Sequence, residues 1–235
     1  PAMRLRMFPL NTVLFPGATL SLHVFEPRYK QMIAECLDGS EPFGVTLIRD
    51  GREAGDAKVV PHDVGTTAEI AEMRPLPEGR YFINTVGRRR FRIDDVISRD
   101  PYLLCEVTFI DEEDPSIAPQ ELDAQVRTEF AEYLRLLVRF AGTQTGVDLP
   151  EDPAAGSFVI GHMLQVADAM KQRLLEASTT HERLTMELAF LRKLLPQLRS
   201  LIERKRSSIA QPSDAAPGVT RSAQEKLFGK YFSQN

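Results

Sequence analysis

The chain has 235 residues, with 29 Lys and Arg against 33 Asp and Glu, for a net charge of −4. That length holds one large domain or two modest ones and buries a core without staples. The mild acidity removes any general attraction to nucleic acid or anionic membrane. Cys36 and Cys105 lie far apart and read as buried thiols of a reducing compartment, not as a disulfide framework. No run of 18 apolar residues and no basic-led apolar leader occurs, so a cytoplasmic location without a membrane partner is expected. Met3 is expected to be the natural start, with Pro1-Ala2 an expression remnant.

Up to residue 111 the apolar period is mostly two. Leu20, Leu22 and Val24 alternate with Ser21 and His23, and Leu103, Cys105, Val107 and Phe109 do the same further on. Such alternation turns one side of a strand into a core. Phe43 to Ile48, Thr66 to Met73, Arg80 to Val86 and Arg90 to Ile97 are further strands. Short strands at this spacing predict a closed or nearly closed antiparallel barrel. One helix interrupts them: Tyr29, Met32, Ile33, Cys36 and Leu37 share a helical face. Pro27 suits its first turn and Gly39 a left-handed end.

The acidic run Asp111 to Asp114 before Pro115 marks a boundary, after which the period becomes helical. Leu122, Val126, Phe130, Tyr133, Leu134 and Leu137 predict a helix of about six turns from near Pro119. A second helix is expected around Phe158 to Val166 and a third over Met170 to Ala177. Thr179 and Glu182 have capping-box spacing ahead of the last helix. Its seam of Leu184, Leu188, Leu191, Leu195, Leu198 and Ile202 suits the chain's own bundle or self-association with another copy. Pro196 lies inside that helix and is expected to kink or break it. From Ser207 to about Ser222 the composition is that of a linker. Leu227, Phe228, Tyr231 and Phe232 then regain helical spacing, as a segment that docks on its own bundle or offers itself to a groove. The expected division is residues 3–114, 115–206 and 207–235.

The opening Phe8-Pro9-Leu10-Asn11-Thr12-Val13-Leu14-Phe15-Pro16-Gly17, closing on Phe25-Glu26-Pro27-Arg28-Tyr29, resembles the start of the N-terminal substrate-recognition domain of Lon-type ATP-dependent proteases. Val64-Gly65-Thr66-Thr67-Ala68-Glu69-Ile70 is similar to that family's Val-Gly-Thr-x-Ala-x-Ile strand. Gly87-Arg88-Arg89-Arg90-Phe91-Arg92-Ile93 resembles its Gly-x-x-Arg-Phe-x-Ile turn and strand. Lys171 to Glu176 and Glu182 to Leu184 look like its later helices. The resemblance covers about residues 5 to 200. It implies an α+β fold, a PUA-like antiparallel β pseudo-barrel with one short helix followed by a C-terminal α-helical bundle. It also implies a stand-alone recognition domain, because the phosphate-cradling Gly-x-x-x-x-Gly-Lys-Ser/Thr does not occur in this sequence.

Other chemistry finds little support. His23, His62, His162 and His181 are scattered without metal-ligand spacing. Asp111 to Asp114 lacks the alternation and glycine of a calcium loop. Arg88, Arg89, Arg90 and Arg92 alternate faces on a strand and so form no single RNA patch. The expected function is a non-enzymatic module, with no cofactor or metal, that binds apolar segments of unfolded or misfolded polypeptide at an exposed apolar patch or groove, for which the meeting of barrel and bundle is one candidate place. An RNA-associated PUA-like protein and a small-molecule enzyme are the alternatives.

Overall fold

The computed structural model describes residues 3–53, 55–56, 58–112, 119–142 and 146–210. The segment Leu227, Phe228, Tyr231 and Phe232 lies outside the described residues.

Strands β1 (Met3–Leu10), β2 (Thr19–Val24), β3 (Phe43–Asp50), β4 (Val60–Pro61), β5 (Val64–Leu76), β6 (Arg80–Ser98) and β7 (Leu103–Phe109) build the N-terminal half. β1 pairs antiparallel with β7 over Met3–Met7 and parallel with β3 over Met7–Leu10, so the path β1-β7-β6-β5-β3 closes on itself. The expected barrel is present, but a parallel pair closes it. That pairing needs a long connection, which β2 and α1 (Pro27–Gly39) supply.

Residues 80–98 form one strand where the sequence suggests two. Gly87 is the reason. Its N–H donates to the Ala18 carbonyl and its own carbonyl accepts the Gly17 N–H, both at 2.8 Å. A Cβ there would overlap the Phe15 carbonyl oxygen. This glycine admits a neighbouring backbone and makes no turn. Before it β6 pairs with β2, and beyond it with β7, while β5 runs along its other side.

α1 buries Tyr29, Met32, Ile33 and Cys36 against the barrel. Its left-handed residue is Ser40 (φ 51°), one later than the expected Gly39. The shift lets the Glu41 N–H reach the Cys36 carbonyl (2.9 Å) and the Ser40 N–H reach that of Leu37 (3.2 Å), the paired bonds of a Schellman ending. Cys36 and Cys105 are both free and buried.

The C-terminal half comprises α2 (Gln120–Ala141), α3 (Pro153–Met163), α4 (Asp168–Glu176) and α5 (Thr180–Ala210). The Thr179 hydroxyl accepts the Glu182 N–H at 3.0 Å. The Glu182 carboxylate takes the Ser178 N–H at 2.8 Å, so the returning bond lands one residue before the expected Thr179. α5 runs unbroken through Pro196 and past the boundary expected at 206. Pro196 is exposed, so water can reach the carbonyl that its missing N–H leaves unbonded one turn back. The leucine seam of α5 is buried within this chain, in one cluster with Val126, Phe130 and Tyr133 of α2. Val13, Phe15, Leu47 and Val64 of the barrel belong to that same cluster. Barrel and bundle therefore share a core.

Candidate functional site

The joint between the halves is filled. The Phe15 ring lies 6.4 Å from that of Phe158 on α3. Gln172 of α4 donates to the Val64 carbonyl at 3.0 Å. Arg90 leaves the barrel wall on β6 and is only 2% exposed. Its Nη1 donates to the carbonyls of Leu175 (2.6 Å) and Ala177 (2.8 Å) at the end of α4. Its Nε and Nη2 fork onto Glu112 at 2.6 and 3.0 Å. Arg183 of α5 covers the Phe158 ring at 3.8 Å and donates to the Ser157 hydroxyl at 2.7 Å. Phe15, Phe158, Arg90 and Arg183 thus fill the centre of this joint. Two grooves lie on the barrel itself.

The larger groove, about 460 Å³, runs between the end of α1 and the wall formed by β5 and β6. Leu37, Ile70 and Phe109 supply its apolar surface. Its charges are matched: Arg88 forks onto Glu69 at 3.0 and 3.2 Å. Arg89 lies 4.1 Å over the Phe109 ring and 3.4 Å from Asp111. Cys36 lines this groove, but burial pushes its thiol up to about 11, so no thiolate nucleophile forms near neutral pH.

The smaller groove, about 310 Å³, lies beside β2. Phe8 and Tyr29 stack at 4.0 Å in its floor, next to Leu10 and Leu22. Phe25 stands at the rim, 51% exposed, with the His23 ring 5.7 Å away. Burial raises the Tyr29 phenol to about 12. The groove is thus apolar below, with Glu26 and Glu53 above.

The sequence placed no site residue in either groove. Phe25 and Leu37 are exposed although apolar, and only the finished fold distinguishes them from core residues. Among the described residues no group of three or more His, Cys, Asp or Glu could hold a metal ion. No described helix is long and apolar enough to cross a membrane. The four arginines of the Gly87–Ile93 stretch part company. Arg90 is buried in the joint, Arg88 and Arg89 flank the larger groove, and Arg92 is exposed further along the strand.

Comparison with known proteins gives this architecture a family. A solved structure described as the Lon N-terminal domain protein from Xanthomonas campestris matches with a TM-score of 0.58 and 29% identity, covering 80% of this chain and 98% of that one. The N-terminal domain of Mycobacterium avium complex Lon protease shares the fold at a TM-score of 0.59 and 20% identity, covering 80% of this chain and 98% of that one. The Lon protease of Flavobacterium johnsoniae is 30% identical over 121 residues, 51% of this chain and 15% of its own length. That of Syntrophomonas wolfei is 28% identical over 206 residues, 86% of this chain and 25% of its own. The chain thus spans a quarter or less of these two proteases. The model of the ATP-dependent protease La (LON) substrate-binding domain matches residues 4–193, across the barrel, the joint and the first turns of α5, and the chain belongs to that family.

Proposed function

We propose that this chain is a polypeptide-binding module without catalytic activity, which takes exposed apolar segments of unfolded or misfolded chains. The family match over residues 4–193 carries the reading. The two barrel grooves support it, because their floors are apolar and their rims polar, as a surface for mixed peptide side chains should be. Ser21 and His23 both line the smaller groove, but the Ser21 hydroxyl donates to the Asn84 side chain at 2.6 Å rather than to the imidazole. Arg88, Arg89 and Arg90 already face Glu69, Asp111 and Glu112, which weakens their attraction for nucleic-acid phosphates. Apolar attraction scales with the area buried, and an unfolded ligand must offset its lost chain entropy from a limited patch. Affinity should be modest and should survive salt.

The test is a titration of fluorescently labelled, reduced and carboxymethylated lactalbumin, and in parallel of single-stranded RNA, at low and high ionic strength. Binding of the unfolded protein at both salt concentrations is expected. Binding of RNA alone, abolished by salt, would overturn the reading in favour of the nucleic-acid alternative. Turnover of ATP or casein that co-purifies with the chain would overturn it in favour of an enzyme.

A further inference from the structure

β2 has a partner on one side only. Its residues pair with β6 from Thr19 opposite Val86 to Val24 opposite Tyr81, with no shift of register. No other described strand pairs with it. Edge strands are normally blunted by charge, proline or a bulge. The sequence Thr-Leu-Ser-Leu-His-Val carries none of these. A second open edge, on β5 beyond its pairing with β3 at Ala68, provides a control within the same molecule. There Glu69 stands just before a register shift between Ile70 and Glu72, and Arg74 and Pro75 follow it. β5 is protected and β2 is not.

The smaller groove runs along that unprotected edge. Ser21, Leu22, His23, Val24 and Phe25 all line it. Successive strand residues point to opposite faces, so an unbroken series can border one groove only if the groove follows the strand's edge. Across it lie Phe8 and Leu10 of β1, beyond the stretch Met3–Met7 where β7 covers β1. Glu53 stands at the rim, its carboxylate accepting the Asn11 N–H at 2.9 Å, with no cationic partner among the described residues.

We propose that the open edge of β2 takes an extended polypeptide segment by strand addition. Main-chain hydrogen bonds to β2 hold the segment. Alternate apolar side chains seat beside Phe25 and Tyr29, and a basic residue faces Glu53. The mode suits unfolded ligands of varied sequence, because the backbone is common to all and only the alternation is selected. This inference rests on the polypeptide-binding reading and says how, not whether, such a ligand is held.

The experiment uses the full chain and an acetylated ten-residue peptide alternating Val or Phe with Ser or Lys. Two further versions carry N-methyl groups on the odd or on the even residues. Methylation in one register, which removes the N–H groups facing β2, should weaken binding at least tenfold, and in the other register little. Amide exchange in β2 should slow at least tenfold on binding of the parent peptide. Phe25→Ser should weaken binding several-fold, while Met73→Ser, an exposed change elsewhere, should not. Equal binding of both methylated peptides, with exchange in β2 unchanged, would overturn strand addition and leave the polypeptide-binding reading standing. No binding of any peptide, together with none of unfolded lactalbumin, would overturn both.

Discussion

The Nη1 atom of Arg90, on a barrel strand, lies 2.6 Å from the carbonyl oxygen of Leu175 near the end of α4. The last carbonyls of a helix lack intrahelical donors and carry its negative dipole end. A cation from the other half of the molecule thus caps this helix. Nothing local to α4 announces it.

Arg90→Ala should lower stability by about 3 kcal/mol, since it strands two carbonyls and the Glu112 carboxylate beside a buried joint. Arg90→Lys should recover only part, because an ammonium cannot fork onto Glu112 while bonding both carbonyls. Urea midpoints of the three proteins measure this. A full rescue by Lys would show that charge, not fork geometry, matters.

Gly87→Ala should destabilise by about 2 kcal/mol or more, through overlap of the new Cβ with the Phe15 carbonyl. The chain should yield at the Phe15–Ala18 segment, so thermal unfolding is the readout. Gly146→Ala, where a Cβ meets open space, serves as control and should leave the midpoint unchanged. Equal midpoints for both variants would remove Gly87 from its assigned role.

Glu187 of α5 is fully buried. Burial, with Asp123 adding, holds its carboxyl well above the ordinary 4.5, while Arg183 works the other way. The folded state therefore binds this proton more tightly than the unfolded one. Its contribution to stability is full below about pH 4.5 and declines as pH rises through the raised value. Glu187→Gln should flatten the fall in stability on the alkaline side and raise the urea midpoint near neutrality. A lower midpoint at pH 7 would mean that the carboxylate is ionised there and bonded to Arg183.

Pro196→Ala should stabilise the protein by about 1 to 3 kcal/mol, because proline in a helix interior forfeits one bond and crowds the turn before it. The site is exposed, so no packing is lost. Peptide binding at the barrel should not change. A lower melting temperature would show that α5 needs its proline.

Local grammar made the helices legible. Pro27 opens α1, and Thr179 with Glu182 opens α5. The seam of α5 keeps helical spacing, and all its members are buried. What escaped the sequence is long-range. The parallel β1–β3 pair joins segments separated by a strand and a helix, and alternation alone cannot report a pairing partner. Gly87 reads as a turn because the backbone that it admits lies far back in sequence, at Phe15. Arg90, Arg183 and Glu187 look like surface charges, since their partners lie on other elements or their burial depends on packing that no local pattern encodes. The grooves were hidden for a related reason. Leu37 keeps the helical spacing of core residues and Phe25 stands one place past the alternation of β2, and only the completed barrel leaves both uncovered.

Helix α5 is tied to its neighbours near both ends, by Arg183 to Ser157 at 2.7 Å and by Lys205 to the Phe140 carbonyl at 2.9 Å. With 31 residues it is about 46 Å long. Its two attachments sit on α3 and α2, so one helix joins both to the leucine seam that it buries.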